Sequence, residues 1–234
     1  MIPAGRAIIT LDALGTLVEL EPPAPLLAAQ LRARGVELSE QQARDGIAAE
    51  IAYYRAHLAS GSNEAGLEHL RDRCAEALGE ALEQVGVRVS TIGPADLRAA
   101  LLAALRFRPY SDVPAALRSL RASGHRLVVV SNWDVSLHDM LRDAGLDALL
   151  DGAISSAQAG VAKPDPAIFQ RALELAGEPQ ADALHAGDSL EYDIFGALAA
   201  GLRAALVVRG GAAPVVPAGV AVVGSLAELA TLAA

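Results

Sequence analysis

Short apolar runs alternate with amphipathic segments over much of the chain, and this alternation predicts strands and helices in turn. Strands are predicted at residues 7–11, 126–130, 153–155, 183–186, 204–208 and 220–223. Helices are predicted between them, at residues 112–122, from 133 to 144, at 165–176 and at 194–200, with a last helix at the C-terminus. Strands that alternate with helices indicate right-handed crossovers, so we expect an α/β fold with helices on both faces of a parallel sheet.

A long helical stretch interrupts this pattern after the first strand. Between about residues 22 and 105 the periodicity predicts helices at 26–34, 39–58, 63–85 and 96–105, with Ser39 as the N-cap of the second. Only residues 85–89 hint at β alternation there. We therefore expect a split α/β core domain, residues 1–17 and 107–234, with an all-α domain inserted at residues 18–106.

Composition and charge narrow the functional classes. Hydrophobic residues make up 53% of the chain and aromatic residues 3%, which suits helices packed on a parallel sheet. The net charge of −9, without a cluster of Lys and Arg, argues against a nucleic-acid partner. The single cysteine excludes an intrachain disulfide. Because no apolar run approaches the roughly 18 residues of a membrane span or matches a signal peptide, we expect a cytoplasmic protein with no membrane partner.

Polar residues follow the predicted strands at their carboxyl ends, where ligands bind in open α/β sheets. Four such segments resemble, in order, the four motifs of the haloacid dehalogenase superfamily: IITLDALGTL at residues 8–17, VVVSN at 128–132, KPDP at 163–166, and AGD at 186–188 with Asp193. Within the superfamily, the chain resembles subfamily IA, whose members carry a C1-type helical cap. The resemblance implies a Rossmann-like core, with residues 18–106 as a cap that closes over the site and sets specificity.

The resemblance also assigns roles to individual residues. Asp12 corresponds to a nucleophile that forms a covalent aspartyl intermediate, with Ser131 and Lys163 as its catalytic partners. The phosphoryl group would be bound by Ser131, Asn132, Lys163 and the backbone at Ala13 and Leu14. A Mg²⁺ cofactor would be held by Asp12, Asp188, Asp193 and the backbone carbonyl of Leu14, because Mg²⁺ prefers oxygen ligands.

Two further residues have simpler interpretations. Asp165 is expected to cap the helix that follows it, with Pro166 in the first helical position. His185 lies inside an apolar strand, which is more typical of a hydrogen-bonded core histidine than of a ligand.

The sequence departs from the phosphatase pattern at Leu14. Phosphatases of the superfamily usually have Asp at this position, as the general acid and base. General acid–base catalysis is worth about 10²–10⁴-fold in rate, so another group has to replace it or the leaving group has to need little protonation. Candidate replacements are Asp134, Tyr192, Tyr53, Tyr54 and His57; acyl and aryl phosphates are the substrates that need little acid.

Besides a phosphatase, two interpretations remain open: non-phosphoryl chemistry of the dehalogenase or phosphonate-cleaving kind, and a binding module. A haloacid dehalogenase needs no acid at this position, but such enzymes usually have Tyr there and lack the metal-binding acid, whereas this chain has Leu14 and Gly187-Asp188. Phosphonate-cleaving relatives use a cap lysine, and residues 18–106 contain none. A regulatory module that binds metal and anion with little turnover is the third possibility. We favour a Mg²⁺-dependent phosphatase whose partner is a small organic phosphate.

Overall fold

The computed structural model describes residues 7–177 and 182–233. The chain forms two compact units, one built from the segments up to Glu19 and from Arg108 onward, and the other from Leu20–Phe107. Residues 1–6 and 234, which the sequence prediction places in the core domain, lie outside the described residues, as do residues 178–181.

The first unit contains a parallel sheet. Within the described residues, the strands are β1 (Ile8–Leu11), β2 (Val18–Leu20), β3 (Phe107–Pro109), β4 (Arg126–Ser131), β5 (Gly152–Ser155), β6 (Ala183–Gly187), β7 (Arg203–Val207) and β8 (Ala221–Val223). Six of them form one sheet in the order β5-β4-β1-β6-β7-β8, in which every pair is parallel. Leu11, the last residue of β1, pairs with Val129 on one side and Ala186 on the other. The predicted parallel α/β sheet is therefore confirmed.

Helices cover both faces of this sheet, which explains why its central strands are apolar throughout. All four residues of β1 are buried, as are the last five of β4. The helices of the protein are α1 (Pro23–Arg32), α2 (Glu40–His57), α3 (Glu64–Gln84), α4 (Pro94–Ala104), α5 (Val113–Ala122), α6 (Leu137–Asp143), α7 (Ser156–Ala159), α8 (Pro166–Leu175), α9 (Gly196–Ala199) and α10 (Leu229–Leu232). Asp165 caps α8 as predicted, since its Oδ1 accepts a hydrogen bond from Ala167 N at 2.9 Å.

The second unit is built from α1 to α4 around a leucine-rich core. Its fully buried side chains include Leu27, Leu78 and Leu82. Ser39 begins α2 with a capping box, in which Ser39 and Gln42 bond reciprocally to each other's backbone N–H groups. The four helices that the sequence predicts in this region all exist, with ends within a few residues of the predicted ones.

The structure differs from the sequence analysis at three places. The strands β2 and β3, which pair with each other, are only three residues long and show no alternation that a sequence pattern would reveal. The predicted β alternation at residues 85–89 is wrong, because a 3₁₀ turn forms at Val89–Thr91 instead. The helix predicted to begin at residue 194 is preceded by a π-helical turn, Leu190–Phe195.

The second unit buries a carboxyl group within its apolar core. Glu50 on α2 is only 4% exposed, and the described residues offer it no ion pair; its partner is the thiol of Cys74 on α3. Burial raises the pKa of Glu50 from its ordinary value of 4.5 to about 7, with the Cys74 hydrogen bond opposing the shift.

We predict that Glu50 makes the stability of the protein fall with pH. The unfolded chain loses this proton near pH 4.5 and the folded chain near pH 7, so folding binds a proton between these values and the free energy of unfolding declines by about 1.4 kcal/mol per pH unit. In Glu50→Gln this contribution should vanish, whereas the exposed Glu80→Gln should keep it. Urea denaturation at several pH values between 4.5 and 8 measures the slope; equal slopes in both variants would contradict the prediction.

Candidate active site

The sheet order brings the first two polar strand ends together. Asp12 follows β1 directly, and its backbone N–H donates to the carbonyl of Ala186 on β6 at 2.9 Å. Ser131, the last residue of the neighbouring β4, donates from its hydroxyl to Oδ1 of Asp12 at 3.1 Å. Because β1 lies between β4 and β6, the side chain of Asp12 stands at the centre of this edge.

Lys163 is the only lysine of the sequence, and it is buried against two carboxylates. Its Nζ lies 2.6 Å from Oδ1 of Asp12 and 2.5 Å from Oδ1 of Asp193, and its side chain is only 2% exposed. A buried ammonium without such partners would be strongly unfavourable, and a neutral side chain here would leave two buried carboxylates without a cation.

The side chain of Asn132 holds the backbone of Lys163 in place. Its Oδ1 accepts a hydrogen bond from Lys163 N at 2.8 Å, and its Nδ2 donates to Lys163 O at 3.0 Å. The sequence predicts a phosphate contact for Asn132, which stays a prediction. What the structure adds is a positioning role, since both ends of the amide are engaged with Lys163.

Asp193 is fixed by residues to which the sequence assigns no part in the site. Its Oδ1 also contacts Nε2 of His185 at 3.1 Å, and its Oδ2 accepts from Ser189 N at 2.9 Å. Because an ionised carboxylate only accepts, Nε2 of His185 is a donor to Asp193, and Nδ1 lies within hydrogen-bond distance of the hydroxyl of Thr10, at 2.9 Å. His185 is thus the hydrogen-bonded core histidine that the sequence predicts, but one that touches the site.

The ionisation of these groups follows from their burial. Burial raises the pKa of Asp12 to about 6, although the Lys163 ammonium works against the shift. Burial also opposes ionisation of Asp193, but Lys163 and His185 outweigh it and hold its pKa below the ordinary value. Burial lowers the pKa of Lys163, yet the two carboxylates prevail and leave it raised. The ammonium therefore stays charged at neutral pH, where Asp12 is mostly ionised.

Asp188 completes a group of three carboxylates. One oxygen from each of Asp12, Asp188 and Asp193 lies within 4.8 Å of the other two. Asp188 is the exposed member, and its pKa is raised by partial burial and by the nearby Asp193. Hard oxygen donors at this spacing suit Mg²⁺.

The turn after Asp12 approaches Asp188 closely. Gly15 has a φ of +83°, and a Cβ built on it would lie 2.1 Å from Oδ2 of Asp188. Ala13 is buried, whereas the side chain of Leu14 is 39% exposed at this edge. A side chain at position 15 would clash with the carboxylate of Asp188, so only glycine fits there.

The residues proposed as substitutes for the missing acid belong to both units. Asp134 is buried, and its Oδ1 accepts from Ser136 N at 2.7 Å in the turn before α6. Tyr192 is exposed on the π-helical turn of the first unit. Tyr53 and His57 stack on each other in the second unit, with ring centroids 4.1 Å apart. Tyr54 packs beside the core of that same unit.

A family model described as haloacid dehalogenase-like hydrolase matches residues 7–201, which is most of the chain. The chain belongs to this family. The membership inferred from the four motifs is thereby confirmed, and with it the class of enzyme, a hydrolase.

Relatives within the family match over less than half of the chain. The haloacid dehalogenase-like hydrolase domain-containing protein 3 of Bos taurus is 44% identical over 104 residues, which are 44% of this chain and 41% of that protein. Glyceraldehyde 3-phosphate phosphatase of Methanopyrus kandleri is 35% identical over 104 residues, 44% of this chain and 45% of that protein. The chain thus spans less than half the length of these curated relatives.

Solved structures of the family share the fold. L-2-haloacid dehalogenase of Xanthobacter autotrophicus, with chloropropionic acid covalently bound, has a TM-score of 0.69 at 22% identity over 97% of this chain and 98% of that one. The HAD-hydrolase YfnB of Bacillus subtilis, bound to magnesium, has a TM-score of 0.70 at 20% identity over the same shares. Because dehalogenases and other hydrolases share this fold, the fold does not choose between their reactions.

We predict that Lys163→Met destabilises the metal-free protein by about 3–5 kcal/mol at pH 8. Without the ammonium, Asp12 and Asp193 stay buried with no cation, so the pKa of Asp12, already raised by burial, rises further and the pKa of Asp193 rises above that of the unfolded chain. Stability is then lost as the pH rises, and the deficit should shrink at pH 5. Urea denaturation in a chelator measures it, with the exposed Arg118→Met as control. A deficit of the same size at both pH values would refute this account.

Proposed function

We propose that this hydrolase is a Mg²⁺-dependent phosphatase that acts on small organic phosphates through an aspartyl-phosphate intermediate. The observation that carries the proposal is the buried Lys163 ammonium, which contacts Asp12 and Asp193 beside the exposed Asp188. A site with one cation and three carboxylates has donors for a divalent metal and a cation for a phosphoryl group.

The nucleophile is prepared by the hydrogen bonds to one of its two oxygens. Ser131 and Lys163 engage Oδ1 of Asp12, which leaves Oδ2 for attack. In the first step Oδ2 forms a bond to phosphorus, and the bond from phosphorus to the leaving oxygen breaks with its electron pair on that oxygen. Water then attacks phosphorus, the bond from phosphorus to Oδ2 breaks with its electron pair on the carboxylate, and the protons of the water leave on the released phosphate. Lys163 and Ser131 would stabilise the phosphoryl oxygens throughout.

The metal would be held by carboxylates that the fold already places together. We propose Asp12, Asp188, Asp193 and the backbone carbonyl of Leu14 as its ligands. One oxygen from each of the three carboxylates lies within 4.8 Å of the other two. Mg²⁺, when bound, neutralises charge on the carboxylates and on the transferred phosphoryl group. Asn132 keeps Lys163 aligned with Asp12. We also propose that Asn132 contacts the phosphate directly.

The leaving group has to depart without help from Leu14, whose side chain carries no proton to donate. Lys163 is a poor donor, because its carboxylate partners raise its pKa. We therefore propose substrates with acidic leaving groups, such as aryl or acyl phosphates. We also propose that residues 18–106 act as the cap domain that selects the substrate.

Dehalogenation is the second candidate, because a halide also leaves without a proton and Leu14 permits it. The carboxylates of Asp188 and Asp193 count against it, since a dehalogenase has no use for a metal site. A binding module without turnover is the third, and the retention of a carboxylate in the nucleophile position, Asp12, counts against it, because pure binding has less need of a nucleophile.

The decisive experiment measures phosphate release from an aryl phosphate and an acyl phosphate, with and without Mg²⁺. We expect turnover that requires the metal and falls to background in Asp12→Asn, while Asp165→Asn, which alters only a helix cap, keeps it. Halide release from 2-haloacids without metal would favour the dehalogenase instead. Absence of both reactions in a folded, metal-binding protein would favour the binding module.

We further predict that Leu14→Asp raises the hydrolysis of alkyl phosphates, whose leaving groups need a proton, by up to about 10²-fold. Aryl phosphates should gain much less, because their leaving group is already stable. The ratio of kcat/KM for the two substrate types measures the effect. An equal change for both would show that Leu14 does not occupy the acid's position.

A further inference from the structure

A second polar network lies at the same edge of the sheet, centred on Arg209 two residues after β7. One nitrogen of its guanidinium, Nη1, donates to both oxygens of Asp112, at 2.7 and 2.9 Å. The other, Nη2, donates to the backbone carbonyl of Thr16 at 2.6 Å. The ring of Tyr110 lies below the guanidinium, whose Cζ is 4.2 Å from the ring centroid.

This network joins three segments that are distant in sequence. Asp112 stands at the start of α5, and its Oδ2 also accepts from the hydroxyl of Ser225 at 2.8 Å and from Leu226 N at 2.9 Å. Arg209 therefore connects the turn after Asp12 to α5 and, through Asp112, to the C-terminal segment of the first unit.

Forming the Arg209 network carries energetic costs that its hydrogen bonds have to offset. The Arg209 side chain is only 15% exposed, so its charge and that of Asp112 are paired after losing much of their hydration. Two of its atoms, Nε of Arg209 and Oγ1 of Thr16, are buried with no hydrogen-bond partner among the described residues. Unpaired buried polar atoms are destabilising, so the arrangement is retained at a cost.

The carbonyl that Arg209 holds belongs to the turn that carries the nucleophile. Within this turn, Leu17 N and Val18 N both donate to the carbonyl of Ala13, at 2.8 and 2.9 Å. Gly15, the neighbour of Thr16, is already so close to Asp188 that no side chain fits between them. Because Thr16 follows Gly15 directly, a displacement of Thr16 would also shift the backbone that lies between Asp12 and Asp188.

We propose that Arg209 is a positioning residue for the nucleophile turn. Its planar fork fixes the Thr16 carbonyl against Asp112, and the turn Ala13–Val18 then holds Asp12 and Asp188 at their working separation. The effect on catalysis rests on the proposed phosphatase function, whereas the effect on the turn does not.

The test compares Arg209→Met and Arg209→Lys with a matched control, Arg203→Met. Arg203 begins the same strand β7 at its opposite end, where it bonds Asp182 and the carbonyl of Leu232. We expect Arg209→Met to lower kcat for an aryl phosphate by about ten- to a hundredfold, with KM changed less than about threefold. Arg209→Lys keeps the charge but loses the fork, so it should recover only part of kcat. Arg203→Met should leave kcat unchanged.

Hydrogen exchange supplies a readout that needs no activity. In both Arg209 variants the amides of residues 15–18 should exchange faster, while those of β4 and β6 keep their protection. Free guanidinium ion should restore part of the kcat lost in Arg209→Met.

Several results would overturn the proposal. These are unchanged protection of the turn, loss of protection spread equally over the sheet, or a kcat in Arg209→Lys equal to that of the wild type. If the wild-type protein releases no phosphate, the proposed function fails, and the exchange experiment still decides the role of Arg209.

Discussion

The site depends on one interaction, the buried ion contact of the Lys163 ammonium with the carboxylates of Asp12 and Asp193. Two carboxylates this close and this buried would otherwise repel each other and bind protons. The ammonium keeps Asp193 ionised and limits the rise in the pKa of Asp12 to about 6. The protein therefore presents a charged, desolvated carboxylate at neutral pH, which is what a nucleophile and a metal ligand both require.

Much of the surrounding structure serves to hold that contact. Asn132, which directly follows β4, holds the backbone of Lys163, and His185 on β6 contacts the carboxylate of Asp193. Both strands flank β1, so the two supports reach the centre from opposite sides. The substitution of any one of these residues would change the environment of Asp12 indirectly, through the position of the ammonium or of Asp193. Such coupling is typical of buried polar networks.

The sequence predicted the sheet and the site's main carboxylates because both leave local signals. A short apolar run predicts a buried strand, and an Asp directly after it predicts a polar group at the end of that strand. Asp12 and Asp188 both follow this pattern. The contacts of His185 and Arg209 left no such signal, because their partners are 8 and 193 residues away and are defined only by the fold. The π-helical turn at Leu190–Phe195 and the three-residue strands β2 and β3 were missed because they are too short to show a periodicity.

The central claim, that Lys163 is a charged ammonium held between carboxylates, is tested most directly by NMR. Since Lys163 is the only lysine, ¹⁵N-lysine labelling gives a single Nζ resonance, which can be followed through an alkaline titration of the metal-free protein. Our account predicts a titration above the ordinary lysine pKa of 10.5, and a lower midpoint in Asp193→Asn. A titration at or below 10.5 that is insensitive to this substitution would contradict it.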